Sequence, residues 1–284
     1  MVRWYRCIPF ILMHIACIAV IWVGFSWTAL ILAVAYYVVR MFFITGFYHR
    51  YFSHRAFKTS RAFQFVMAVA GNTAGQRGPL WWAAHHRHHH AHSDEPPDQH
   101  SPEHRGFWQS HMGWFMTGAG FVTPIRYIRD LARYPELRFL DRFDWFIPIV
   151  SAFIIFGIGA ALERFAPALG TNGWQLLIWV FLISTIVLYH FTYTINSLCH
   201  TWGSQRFKTD DDSRNNAVLA LFTLGEGWHN NHHHYPASAR QGFVWYEIDI
   251  TYYVLRLLAM VGIIWDLRAV PEHVFAEAGA TDAS

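Results

Sequence analysis

The chain has 284 residues, 54% of them hydrophobic and only 14% charged, against about 25% charged in a typical soluble domain. That balance excludes a disordered chain, and a formal charge of +3 is too small to argue for a nucleic-acid partner. Three cysteines cannot complete a disulfide framework, whereas 19 histidines in an aromatic-rich chain point to a membrane protein that holds metal.

From the N-terminus, residues 7–24 are apolar apart from His14, and residues 27–47 are apolar apart from Arg40. Each is long enough to cross roughly 30 Å of hydrocarbon. With only Phe25 and Ser26 between them they form a tight hairpin, and no small-residue cleavage site follows the first, so it reads as an anchor and not a removed leader. A second pair follows at 145–162 and 174–191, joined by the short loop Glu163 to Gly173. Of 22 Lys and Arg, only Arg164 lies in either hairpin loop. The positive-inside rule then puts both termini and the two long polar segments, about 48–144 and 196–271, on the cytoplasmic side. Phe63 to Ala74 and Tyr252 to Trp265 are expected as interfacial helices, a six-span count being the rival. The tail from Glu272 to Ser284 is expected to fray. The expected fold is all-α and integral to the membrane: four transmembrane helices with a cytoplasmic helical cap, residues 1–284 forming one domain.

The histidines fall in groups. His49 and His54 frame H-R-Y-F-S-H at the end of the second span. His86, His89 and His90 have the spacing i, i+3, i+4, which sets three imidazoles on one helical side, and His229, His232 and His233 repeat it. His200 stands near the end of the fourth span. All map to the cytoplasmic boundary. Neutral imidazole suits Fe, Zn, Cu and Ni. Nine imidazoles exceed what one metal accepts, so two metals with four or five ligands each is the natural division. A structural zinc would more often include cysteine, and Cys7, Cys17 and Cys199 are badly placed; Cys199 reads as a small packing residue. Iron is the better reading, because a pair can bind and split O2. A ferritin-like carboxylate site needs paired Glu-x-x-His motifs, and Glu226 to His229 is the only such motif. His88, His92, His100, His104, His111, His234 and His273 read as surface residues or as supports behind the ligands. His14 and His190 lie in spans, where an ionisable group is a functional candidate by default.

With these motifs the sequence resembles the membrane-bound fatty acid desaturases, particularly the acyl-CoA (stearoyl-CoA, Δ9-type) branch. The resemblance covers about residues 45–250. It rests on G-F-Y-H-R-Y-F-S-H-R from Gly46, W-A-A-H-H-R-H-H-H from Trp82, R-G-F-W-Q-S-H-M-G-W from Arg105, N-S-L-C-H-T-W-G from Asn196 and G-E-G-W-H-N-N-H-H from Gly225. It implies two ferrous ions held by His49, His54, His86, His89, His90, His200, His229, His232 and His233, with Asn196 reaching one through water. It also implies an acyl tunnel whose bend is lined by Gln76, Trp82 and Thr192, with Tyr193 where the animal enzymes carry Trp, and a depth set near Ala33 and Tyr37. No catalytic residue beyond the ligands is implied. Where the animal enzymes bind the CoA head with an Arg-Asp pair and a basic pair, this chain has Ala84 with His85 and Gly118 with Ala119. Acyl-CoA is the first choice of substrate, and an acyl chain on a phospholipid is the alternative.

The resemblance implies O2-dependent formation of a cis double bond in fatty acid biosynthesis, with two electrons from outside. The chain has neither a C-x-x-C pair nor a His-Pro-Gly-Gly haem motif, so a separate ferredoxin, rubredoxin or cytochrome b5 type donor is expected. Arg126, Arg129 and Arg133 at i, i+3, i+7 read as a basic stripe, on anionic lipid headgroups in preference to an acidic donor. Glu226, Asp94 and Asp98 are candidates to orient ligand imidazoles through their other nitrogen. The rivals are a lipid hydroxylase or alkane monooxygenase on the same scaffold, and a membrane metal transporter or sensor. The last predicts ligands strung along a path inside the spans.

Overall fold

A computed structural model describes residues 2–277. Four of its helices are long and apolar enough to cross a membrane: α1 (Trp4–Val23), α2 (Trp27–Ser53), α6 (Phe146–Phe165) and α7 (Gly173–His200). Between them lie α3 (Arg61–Asn72), α4 (Pro79–Ala91) and α5 (Pro135–Arg142), and after them α8 (Ala217–Phe222), α9 (His229–His234), α10 (Ile250–Met260) and α11 (Glu272–Glu277). The six-span count is not met: α3 and α10 are too short to cross.

The two hairpin turns meet at one end of the bundle. Gly24 turns the chain with φ +71°, a conformation that favours glycine, and the Ser26 and Asn172 side chains cap the helices that follow. Thr28 Oγ1 donates to the Leu169 carbonyl across the two turns at 2.6 Å. Gln175 and Trp179 reach back to the carbonyls of Val23 and Gly24. Every histidine group therefore lies toward the opposite end.

The polar residues within the spans are partnered. Arg40 is fully buried, donates to Thr185 Oγ1 at 2.6 Å and Ser184 Oγ at 2.7 Å, and lies over the Tyr36 ring. It joins α2 to α7 without a carboxylate. His14 and His190 meet Nε2 to Nε2 at 3.2 Å, and His190 Nδ1 is 3.0 Å from His111 Nε2. This file of imidazoles pins α1 to α7 and to the segment between α4 and α5.

The architecture departs from expectation in five places. The spans run past the expected ends: α2 continues through His49 to Ser53, and α7 through Asn196 to His200. The first histidine pair and His200 thus grow directly out of span helices. The last 11 residues of α2, Phe43–Ser53, are wound as a π-helix, a form that concentrates at functional sites. Tyr252 to Trp265 is not one helix: α10 ends at Met260, and Ile264–Trp265 (β2) pairs antiparallel with Lys58–Thr59 (β1). These two strands qualify the all-α description, since Gly262 at φ +74° turns the chain back along the cap. Nor does the tail fray at Glu272; α11 buries Val274 in a small cluster with Phe207 and Phe243, and residues 278–284 lie outside the described residues. Finally, Arg126, Arg129 and Arg133 are exposed but do not share a helix, because a break at Ile128 separates the turn Ile125–Tyr127 from Arg129–Ala132.

Candidate metal centre

Four elements present the histidines, α7 supplying His200 at its end. The π-wound end of α2 carries a backbone hydrogen bond from His54 N to the His49 carbonyl at 3.2 Å. This i→i+5 pattern stacks residues five apart one above the other, so both imidazoles project the same way. Arg87 of α4 donates to the Phe52 and Ser53 carbonyls, both at 2.7 Å, and fastens α4 to the end of α2. α4 begins at Pro79, whose missing N–H costs nothing at a helix start. α9 brings the last trio from the other side.

All nine sequence-predicted histidines converge, in two groups. His49, His54, His86, His90 and His232 form one, and His89, His200, His229 and His233 the other; within each group, one nitrogen per residue lies within 4.8 Å of every other. In the first, His232 Nε2 is 3.0 Å from His49 Nε2 and 2.9 Å from His90 Nε2, and His54 Nε2 is 2.7 Å from His86 Nε2. In the second, His200 Nε2 is 3.0 Å from His229 Nε2.

Carboxylates behind the imidazoles set their tautomers. His200 Nδ1 donates to Asp94 at 2.7 Å, His89 Nδ1 to Asp98 at 2.9 Å and His233 Nδ1 to Asp211 at 2.6 Å, while His49 Nδ1 contacts Glu226. A carboxylate accepts only, so the proton stays on Nδ1 and the Nε2 lone pair faces inward. The buried Nε2 atoms of His89 and His233 have no hydrogen-bond partner. Buried lone pairs aimed at one another are unfavourable without a cation between them. On that ground the donor set fits a pair of borderline metal ions. Asp94, Asp98 and Glu226 were legible from sequence proximity. Asp211 was not, since it sits in an irregular loop far from His233.

Burial pushes the imidazoles of His54, His86, His90, His229 and His232 well below their ordinary range, neighbouring imidazoles adding to it, and holds His233 at about 4. His89 moves the other way, because the Asp98 charge and hydrogen bond outweigh its burial. Burial favours the neutral carboxyl, yet the His200 hydrogen bond holds Asp94 at about 2, and His100 and His89 hold Asp98 below the carboxylate range. Neutral imidazoles with charged carboxylates behind them are the ligating state. Since the unfolded chain takes up protons below about pH 6.5 at the six histidines held down by burial and the folded chain does not, acidification favours unfolding, with His89 opposing the other six. The metal-stripped protein is therefore expected to lose stability progressively from about pH 6.5 down to pH 4. Thermal unfolding in detergent, pH step by pH step, checks this; a flat profile would contradict it.

The remaining histidines differ from the surface reading in part. His88, His100 and His111 are buried, and His100 lies 3.5 Å from Asp98 with its ring against His89 and Trp114. His92, His104 and His234 have local polar partners, and His273 is exposed. Cys199 is buried.

Beneath the histidines is a cavity of about 990 Å³ running between α1, α6 and α7. It meets a smaller pocket under the two groups at a junction lined in both by Trp82, His86, Thr192 and Asn196. Gln76 donates to Thr192 Oγ1 at 2.9 Å and accepts from Trp82 Nε1 at 3.2 Å, so these three form one hydrogen-bonded unit at the junction. Tyr193 lines the larger cavity, stacked on Tyr189. Ala33 and Tyr37 line neither. Ala33 packs with Ile155 and Phe181 between spans, and the Tyr37 hydroxyl donates to the Phe222 carbonyl at 2.6 Å. The α2 side of the small pocket is instead Met41, Ile44 and Thr45, one turn further on.

Comparison with known proteins agrees with this geometry. The family model described as "Fatty acid desaturase" matches residues 25–278. A Delta-9 acyl-lipid desaturase from Arabidopsis thaliana is 36% identical over 252 residues, covering 88% of this chain and 78% of its own. An sn-1 stearoyl-lipid 9-desaturase from Anabaena variabilis is 33% identical over 270 residues, 94% of each chain. An acyl-CoA 5-desaturase from Anemone leveillei is 35% identical over 266 residues, 92% of this chain and 78% of its own.

Proposed function

The chain belongs to the fatty acid desaturase family of oxidoreductases, and on that premise we propose that it places a cis double bond at Δ9 of a saturated acyl chain carried by a membrane lipid. The observation that carries the chemistry is the division of nine inward-facing imidazoles into groups of five and four above a cavity junction. Two iron ions held there, with O2 and two electrons, would supply the oxidising power to remove two hydrogens from adjacent unactivated carbons.

The chain's own residues bind, orient and exclude. Asp94, Asp98, Asp211 and Glu226 hold four imidazoles by their Nδ1–H, and Asn196 faces the junction where water could link it to one ion. The Gln76–Thr192–Trp82 unit bends the acyl chain so that two carbons lie under the histidines. Met41 and Ile44 limit how far it continues. Apolar lining excludes water from the reacting carbons. Electrons arrive from a separate donor, and the whole chain acts as one desaturase unit, because its ligands come from four distant segments. By the distribution of Lys and Arg, the histidine end and both termini face the cytoplasm.

The motif flanks favour acyl-CoA, but Ala84, His85, Gly118 and Ala119 offer no paired cations and carboxylate for a CoA head, and the large cavity runs among the spans. Both support a lipid carrier. Convergence of the ligands at one end, not along a path, disfavours a transporter. Because Asp211 fixes the tautomer of His233, Asp211→Asn is expected to weaken retention of one iron about 10- to 100-fold, measured by chelator competition.

The decisive experiment is gas chromatography–mass spectrometry of lipid classes from an aerobic bacterial host fed labelled stearate, wild type beside His90→Ala. A Δ9 monounsaturated acid that first appears in membrane lipid, and is absent from the variant, is expected. Hydroxylated acyl chains would make the protein an oxygen-inserting enzyme, and label appearing first in oleoyl-CoA would make acyl-CoA the carrier.

A further inference from the structure

The large cavity is lined in part by exposed side chains of helices long and apolar enough to cross a membrane, so it opens between spans. Its rim includes Tyr5, Trp145 and Phe153, which are 63%, 55% and 74% exposed, on or beside span helices. The end of this slot nearest the histidine cap is charged. Arg6, in the first turn of α1, and Arg77, two residues before α4, both line it. Their guanidinium carbons lie 5.4 and 5.6 Å from the centre of one ring, Phe121. Arg77 is paired with Asp144. Arg6 has no carboxylate partner among the described residues, unlike Arg55, Arg61 and Arg87 in the cap. The slot therefore carries an uncompensated cation at the membrane surface and an open apolar trough below it.

We propose that Arg6, seated with Arg77 against Phe121, binds the phosphate of a diacyl phospholipid substrate, whose second acyl chain lies in the open slot between α1 and α6. This rests on the lipid-carrier reading above and adds the headgroup chemistry and the residue that recognises it. Guanidinium forks match phosphate oxygens, and the shared Phe121 ring holds both cations near the mouth of the slot. The geometry separates a phospholipid from CoA, which also bears phosphates. CoA presents one acyl chain from water and has nothing to place in a trough that faces lipid. The plainer alternative is that Arg6 reaches toward bulk headgroups without selecting among them.

The test uses the iron-loaded protein in nanodiscs with its electron donor. Stearoyl chains are offered on phosphatidylglycerol, on monogalactosyldiacylglycerol, which has no phosphate, and as stearoyl-CoA, and the ratio of kcat/KM between the two lipids is measured. The wild type is expected to favour the phospholipid. Arg6→Gln should lower that ratio about fivefold or more, in keeping with one cation–phosphate contact at a membrane surface, and Arg6→Lys should fall between. A ratio is insensitive to loss of folded protein. Native mass spectrometry of the metal-free protein gives a second readout: Arg6→Gln should retain fewer phosphatidylglycerol molecules. If the variant keeps the wild-type ratio and lipid retention, the phosphate seat is wrong while the lipid carrier stands. If stearoyl-CoA is turned over and neither lipid is, the carrier reading fails and takes the seat with it.

Discussion

Replacing His232 by Ala is expected to remove one iron of two and to lower desaturation by more than about 100-fold, the upper range seen when only an outer partner of a ligand is lost. His232 Nε2 stands between His49 Nε2 and His90 Nε2, at 3.0 and 2.9 Å, and is the only member of the five-histidine group supplied by α9. Without it the group has no contribution from α9. His234, two residues on, supplies the control. It stacks on Phe207 with ring centroids 4.0 Å apart and faces Glu277, away from both groups. His234→Ala should keep two irons per chain. Elemental analysis of the purified proteins beside turnover distinguishes the cases. Two irons and near-normal turnover in His232→Ala would remove His232 from the centre.

The histidine boxes were legible because helical spacing is a local property, yet their division was not. In each His-x-x-His-His helix the i and i+4 residues enter one group and the i+3 residue the other: His86 and His90 against His89, and His229 and His233 against His232. At 3.6 residues per turn, positions i+3 and i+4 fall on opposite sides of position i, so one helix serves two sites. Reading the trio as a single face missed this. The His49–His54 spacing was readable only as a pair. In an α-helix residues five apart diverge, and the π-winding that aligns them, whose end Arg87 of α4 fastens through the Phe52 and Ser53 carbonyls, has no signature in helical spacing. The spans were found from hydrophobic length, but their polar ends, where α2 and α7 continue into the cap, are hidden once apolar periodicity stops. The β1–β2 pair and Asp211 depend on contacts across the chain that no local pattern announces.

Arg50, adjacent to His49, supports the second large effect. It is fully buried and donates to Glu226 Oε1 at 2.9 Å, to Asp249 Oδ2 at 2.9 Å and to the Ala239 carbonyl at 2.8 Å. Glu226 in turn holds His49, and Asp249 caps α10 through Tyr252 N at 2.9 Å. Arg50→Met would leave two buried carboxylates without their shared cation, at a cost of about 3–5 kcal/mol. It should also act on the metal site. Burial favours the neutral form of Glu226, and its contact with His49 together with the Arg50 charge and hydrogen bonds overcomes this and keeps it ionised. Taking away Arg50 raises the folded-state pKa of Glu226. The contribution of its ionised form is then lost at a higher pH as the solution is acidified. Iron release on acidification should accordingly begin at higher pH in Arg50→Met than in the wild type. Adding Asp249→Asn removes one of the stranded charges and should recover part of the stability, but not the position of the release curve, because Glu226 still lacks its cation. Unfolding midpoints in detergent and iron retained against pH measure the two effects separately. A destabilised Arg50→Met whose iron-release curve coincides with the wild type would limit Arg50 to holding the cap together.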